Sequence, residues 1–176
     1  MLAFDEGRFG LKTWLRRRWC PRGVRAPWIV SEEYEWLWLY AAVEPSTGTG
    51  IFLLLPNVEA DCLQIFLQHL RKEMGEASLG VVLDNAPSHH SGQIHWPANM
   101  QPLYLPPYSP ELNPAEQIFR HLRHRLSNRV FASLEELQQA LIEELKQFWD
   151  HPTVLLHLTG YPWWLQALPP NISSSP

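Results

Sequence analysis

Val81-Val82-Leu83-Asp84-Asn85-Ala86-Pro87-Ser88-His89, followed by Leu105-Pro106-Pro107-Tyr108-Ser109-Pro110-Glu111-Leu112-Asn113-Pro114-Ala115-Glu116, is the stretch on which the reading of this chain turns. Each half ends an apolar run with an acid at a turn. Leu79 to Leu83 is wholly apolar and of strand length, so Asp84 is expected just past a buried strand. Asn113-Pro114-Ala115-Glu116 reads as an N-cap, a proline at the first helical position and a glutamate at the third, which puts Glu116 at the mouth of a helix. A third acid, Asp5, closes the apolar run Leu2-Ala3-Phe4. Rigid elements can present such acids to solvent and metal.

Each acid alone has a plain structural explanation. Asp84-Asn85 can turn the chain by bonding nearby backbone groups, Glu116 can complete a capping box, and Asp5 can be an ordinary end-of-strand residue. The set is more informative than its members. Three carboxylates on separate elements of one small α/β domain suit a hard divalent cation, which prefers oxygen ligands and leaves room for water and phosphate. Two such ions about 3.5–4 Å apart can stabilise both the attacking and the leaving oxygen of a phosphoryl transfer.

At these residues the chain resembles the DDE transposases of the mariner-like superfamily, particularly its bacterial insertion-sequence branch. Asp84-Asn85 with His89, then Leu105 to Pro110 and Leu112 to Glu116, are similar to the second and third catalytic blocks, while Asp5-Glu6 with Gly10 and Trp19-Pro21-Arg22-Gly23 look like the first. The resemblance covers almost the whole chain. It implies a ribonuclease H-like fold, two Mg²⁺ (or Mn²⁺) ions held by Asp5, Asp84 and Glu116, and DNA cleavage and strand transfer on transposon ends and target DNA. Asn85, His89 and Asn113 would support the site. Between Asp84 and Glu116 lie 31 residues, fewer than the family's usual interval, which suggests a trimmed loop near His90 to Met100. Phe119 stands where the family usually has Trp. Family members also carry helix-turn-helix modules upstream, whereas Met1 here lies four residues before the first acid. The expectation is a catalytic domain paired with an upstream-frame DNA-binding half, and a homodimer is a further candidate partner. Two other readings use the same residues: an inactive DNA-binding or dimerising remnant, and a ribonuclease H-type nuclease.

Length and composition agree with one catalytic domain over residues 1–150 and a C-terminal extension over 151–176, whose Pro- and Ser-rich last eight residues are expected to be disordered. At 176 residues and 45% hydrophobic, with nine Trp, the chain can bury a sizeable core. No apolar run approaches membrane-spanning length and no signal peptide is legible. Cys20 and Cys62 are too few for a disulfide framework or a Cys-type zinc site, so a reducing cytoplasmic setting is expected.

The net charge of −4 hides an uneven distribution. Arg8, Lys12, Arg16, Arg17, Arg18, Arg22 and Arg25 occupy residues 8–25 without an acid, and Arg120, Arg123, Arg125 and Arg129 occupy 117–130 likewise. These windows flank two of the three acids, and Lys12, Arg16, Arg17, Arg18, Arg120 and Arg123 are the candidates for phosphate contact. A solvated loop and a charged helix face would give the same composition. Trp14 and Trp19, interleaved with the arginines, could stack on unpaired bases; for Trp19 half-buried packing is the expectation.

The coarse pattern is strand, strand, strand, helix, strand, strand, helix, helix: a mixed five-stranded α/β sheet flanked by helices. Strands are expected at Leu2 to Asp5, Glu35 to Val43, Ile51 to Leu55, Leu79 to Leu83 and Leu103 to Leu105, with Trp28-Ile29-Val30 a further β-rich run. A helix is expected from an Asn57 cap to Gly75, and another from the Ser133 to Glu136 capping box through Phe148. In the helix after Asn113, Ala115, Ile118, Phe119, Leu122 and Leu126 fall on one face and Glu116, Arg120 and Arg123 on its margin, as a DNA track or as a Glu116–Arg120 surface pair worth about 0.2–0.5 kcal/mol. Trp163 and Trp164 would cover the core or meet a partner protomer.

Overall fold

The computed structural model describes residues 1–24 and 29–167. Its five strands are β1 (Leu2–Gly10), β2 (Trp36–Glu44), β3 (Thr49–Leu55), β4 (Leu79–Leu83) and β5 (Met100–Tyr104). Five α-helices accompany them, α1 (Ala60–Met74), α2 (Ala115–Arg125), α3 (Leu134–Asp150), α4 (Pro152–Thr159) and α5 (Pro162–Ala167), with short 3-10 helices at Pro87–His90 and Pro110–Leu112. The sheet order is β3-β2-β1-β4-β5. β1 to β3 form an antiparallel meander, while β4 pairs in parallel with both β1 and β5.

Side-chain alternation divides the core into two layers. Leu2, Phe4, Tyr40, Ala42, Val81 and Leu83 pack with Phe66, Leu67 and Leu70 of α1. Ala3, Phe9, Leu39, Ala41 and Val82 pack on the opposite face with Ile118, Phe119 and Leu122 of α2 and Leu141, Leu145 and Phe148 of α3. The apolar face read for α2 is the buried one, and the Met and Phe stripe of α1 is core as expected. Leu155 of α4 and Trp164 of α5 belong to the second layer, so Trp164 covers the core while Trp163 is half-exposed.

Several boundaries differ from the pattern reading. β1 does not stop at Asp5: it runs on to Gly10 because β2 pairs with it from Ala3 through Gly10. The α1 cap is Glu59, and Asn57 instead accepts the Glu59 N–H through Oδ1 at 3.0 Å. The β-rich run at 28–30 falls partly outside the described residues. Its Ile29 and Val30 form no strand and their side chains are exposed. The last eight residues, expected to be disordered, lie outside the described residues.

One glycine sets how closely α2 approaches the sheet. A Cβ at Gly7 would stand 2.7 Å from Phe119 Cε1, and closer still to Cδ1, so the ring occupies the space a side chain would need. Phe119 lies one turn after Glu116 and is wholly buried, so this contact fixes the distance of the helix mouth from β1. Gly7→Ala is expected to destabilise the protein by about 1–3 kcal/mol through overpacking, with Phe119→Leu recovering part of the loss. Urea unfolding of the two single variants and the double would measure both effects.

Candidate active site

The parallel register brings the first two acids together. Leu2 pairs with Val81 and Ala3 with Val82. Asp5 and Asp84 follow at equal steps along the two chains, so they lie level and on the α2 face of the sheet. The third acid is placed by Asn113, which is buried. Its Nδ2 donates to the Phe4 carbonyl at 2.9 Å, and its Oδ1 accepts the Ala115 N–H at 3.1 Å. The mouth of α2 is thereby tied to β1 one residue before Asp5.

Asp5, Asp84 and Glu116 line one cleft of about 450 Å³, with Asn85, Ala86, Pro87, Asn113 and the segment from Leu105 to Pro110 as its walls. Within that segment Tyr108 is wholly exposed and holds a left-handed backbone conformation, φ 59°. Burial pushes the Asp5 carboxyl well above the usual carboxylate range, and the negative charges of Glu116, Glu6 and Asp84 push it further. Its Oδ1 accepts the Glu6 N–H at 2.8 Å. Among the described residues, no three His, Cys, Asp or Glu side chains are drawn closely enough together to enclose an ion.

His89 is a buried bridge. Its Nε2 lies 3.1 Å from Glu6 Oε1, its Nδ1 lies 2.9 Å from Asp84 Oδ1, and the Tyr104 hydroxyl donates to its carbonyl at 3.3 Å. Burial opposes a charged ring, but hydrogen bonds to Asp84 and Glu6 outweigh it and push the imidazole up to about 10. The same contact with His89 lowers the Asp84 carboxyl against the upward pull of its own burial. The Asn85 amide oxygen bonds His90 Nε2, and the His90 ring packs on Tyr104.

The basic candidates divide. Arg17 and Arg18 are exposed, and Arg120 is exposed with Nη1 donating to Gln117 at 3.0 Å instead of pairing with Glu116. Arg16 contacts the His124 ring and donates its backbone N–H to Asn128. Lys12 is engaged by Glu32 and by the Tyr34 hydroxyl and ring. Arg123 departs from the exposed margin that helical periodicity suggested. Its guanidinium lies over Trp14 at 4.9 Å and near Phe9 and Phe119, with a buried Nε that has no hydrogen-bond partner. Trp19 also departs from expectation: it is fully exposed, not half-buried, while Trp14 is half-exposed against Arg123. Arg25 lies outside the described residues. Sequence reasoning missed Glu6 as part of the site. Strand alternation past Asp5 was the signal, since it sends neighbouring acids to opposite faces.

Residues 1–138 match the family described as DDE superfamily endonuclease, and the chain belongs to that family. An uncharacterized protein, y4pE/y4sA of Sinorhizobium fredii (strain NBRC 101917 / NGR234), is 28% identical over 130 residues, covering 73% of this chain and 96% of that protein. The fold is similar to that of Mos1 transposase in a paired-end complex with the left transposon end, with TM-score 0.64 and 21% identity over 89% of this chain and 52% of that one. The Mos1 paired-end complex with Mn matches at TM-score 0.62 and 20% identity, over the same shares of the two chains. The catalytic domain of Mos1 mariner transposase matches at TM-score 0.58 and 19% identity, over 89% of this chain and 77% of that one. The chain thus spans about half the length of the longer Mos1 chains, and the shared fold is the ribonuclease H-like mixed sheet with flanking helices. Among the described residues no helix is long and apolar enough to cross a membrane.

The bridge predicts a pH signature. His89 titrates higher in the folded chain than the ordinary imidazole value near 6.5, so the stability it supplies is complete below about pH 6.5 and is lost as pH rises through about 10. In urea unfolding at about pH 6, 8 and 10, the stability gap between wild type and His89→Asn should be widest at the lowest pH and narrowest at the highest. A gap independent of pH would contradict a charged bridge.

Proposed function

We propose that this chain is the catalytic domain of a transposase that cleaves DNA and transfers the cut strand, using two Mg²⁺ or Mn²⁺ ions held by Asp5, Asp84 and Glu116. The observation that carries this reading is the meeting of those three acids, from β1, the end of β4 and the first turn of α2, in one cleft of a DDE superfamily endonuclease. The donor set suits the ions by its chemistry, though the side chains as they stand do not enclose one. All three side chains offer hard oxygen, and burial with mutual repulsion leaves Asp5 short of positive charge. Mos1 transposase, whose fold is similar, has been crystallised as paired-end complexes with Mn and with Mg.

When bound, the ions would activate the attacking oxygen and offset charge on the leaving one. The chain's own residues do the rest. Asp84 and Asp5 stay level because their strands are paired, and Asn113 keeps Glu116 at the cleft without consuming its carboxylate. Water or a DNA 3′-hydroxyl would attack the phosphodiester in line, with no covalent enzyme intermediate. Arg17, Arg18 and Arg120, with Arg16 and Lys12 beside them, would neutralise phosphates along the approach to the cleft. Arg123 would brace Trp14 at the base of that basic segment.

With supercoiled plasmid and Mg²⁺ or Mn²⁺, the wild type is expected to nick DNA, and Asp84→Asn or Glu116→Gln should lower the rate by more than about 100-fold while circular dichroism stays native. Metal-independent nicking, or cleavage confined to an RNA–DNA hybrid offered in parallel, would overturn the assignment. Binding to duplex DNA should be weak, equal across sequences and salt-sensitive. Replacing Arg16, Arg17 and Arg18 together by Ala should flatten the log affinity against log salt slope by about two to three. Fluorescence anisotropy across a salt series would read it.

A further inference from the structure

We propose that Glu6 is a positioning residue for Asp84, acting through the His89 ring as a buried strut that fixes which carboxylate oxygen Asp84 turns toward the cleft. The inference rests on the reading of Asp84 as a metal ligand and adds a residue to that site from the opposite face of the sheet.

Asp5 and Glu6 are neighbours on β1, and strand alternation sends them to opposite faces. Asp5 faces α2 and the cleft. Glu6 enters the layer built on Phe4, Tyr40 and α1, where a carboxylate is costly unless paired. Its side chain is 9% exposed and its hydrogen bond goes to His89 Nε2 at 3.1 Å. The His89 side chain is 2% exposed, with the Phe4 ring at its edge, 5.9 Å between centroids. Rotating the imidazole would break its contacts with the Glu6 carboxylate and with both the carboxylate and the carbonyl of Asp84, so the ring is held in a single orientation.

The consequence falls on Asp84. Its Oδ1 accepts the Ala86 N–H at 3.0 Å and lies 2.9 Å from His89 Nδ1. Both described side-chain contacts thus fall on one oxygen, and Oδ2 is left for the cleft. Ala86 alone would hold the carboxylate through its own turn and leave it free to swivel. The ring, anchored from behind by Glu6, removes that freedom. Outer partners of this kind orient a ligand before the ion arrives, and their loss typically costs about 10–100-fold in metal affinity.

Mn²⁺ binding to the full chain, read from the electron paramagnetic resonance of the free ion, tests this without any turnover. Glu6→Met, similar in length but unable to accept a hydrogen bond, should weaken Mn²⁺ affinity by about tenfold or more. Glu6→Gln keeps an acceptor oxygen for Nε2–H and should stay within about threefold of wild type. His89→Asn reaches the same link from its other end and should match Glu6→Met, and it decides the matter alone if Glu6→Met does not fold. The double variant should bind no more weakly than the worse single one, because both break one strut. Wild-type affinity in Glu6→Met or His89→Asn, equal losses in Glu6→Gln and Glu6→Met, or losses that multiply in the double variant would overturn the proposal. A wild type that binds no Mn²⁺, or an Asp84→Asn variant that binds it as well as wild type, would instead remove the metal-site reading beneath it.

Discussion

Two residue pairs, Leu2 with Val81 and Ala3 with Val82, join the antiparallel half of the sheet to its parallel half, and the site depends on that seam. It sets the height of Asp5 against Asp84 without any help from the acids, which oppose the arrangement. Burial first, and then the charges of Glu116, Glu6 and Asp84, lift the Asp5 carboxyl well above the usual carboxylate range. What holds the seam is apolar. Leu2, Phe4, Val81 and Leu83 are essentially removed from water against Phe66, Leu67 and Leu70 of α1. Full burial of each such side chain contributes about 1.5–3 kcal/mol, so the cluster outweighs the repulsion of a few carboxylates at its edge. A one-residue slip between β1 and β4 would turn Asp5 into the apolar layer and Glu6 toward α2, which makes the register hard to lose.

Most of this was legible in the residues. The strand at Leu79 to Leu83 and the buried face of α2 follow from runs and periods that admit one reading, and the two later acid-bearing motifs belong to turns that their prolines and asparagines announce. The length of β1 was not read off the residues. Past Phe4 its sequence turns polar, and the alternation Asp5, Gly7, Phe9 against Glu6, Arg8, Gly10 is masked by an acid and a glycine on the inward face. Gly7 is inward because Phe119 fills the volume above it, a relation between residues 112 positions apart that no local window contains. The partners of His89 were hidden for the same reason, since Glu6 is 83 positions away.

Charge shows a similar split between composition and place. The basic residues do cluster near the acids in sequence, yet folding gives them different work. Leu11 and Thr13 bond back to Glu35 and Ser31, which ties the two arms of the segment after β1 together at its base. Arg123 stacks under Trp14 there, and burial lowers its guanidinium while Glu116 and Asp5 help to hold the proton. Arg17 and Arg18, farther out on the same segment, keep their exposure.

Glu136, the third residue of α3, and Glu116, which is the second residue of α2 and not the third because the cap is Pro114 and not Asn113, show why one of them is free for chemistry. In α3, Ser133 Oγ accepts the Glu136 N–H at 3.3 Å and Glu136 Oε2 turns back to the Ala132 N–H at 2.7 Å, so that carboxylate is consumed by the helix start. In α2 the corresponding work is done without Glu116. Asn113 N–H goes to Pro110 O, Pro114 has no N–H to satisfy, and Ala115 N–H goes to Asn113 Oδ1. The Glu116 and Gln117 N–H groups reach the carbonyls of Asn113 and Pro114. Every donor of the first turn has a partner before the glutamate side chain is counted. Serine at the cap recruits its glutamate, whereas the asparagine just before the Pro114 cap, with a donor left over for the Phe4 carbonyl, anchors the helix to β1 and releases the carboxylate to the cleft.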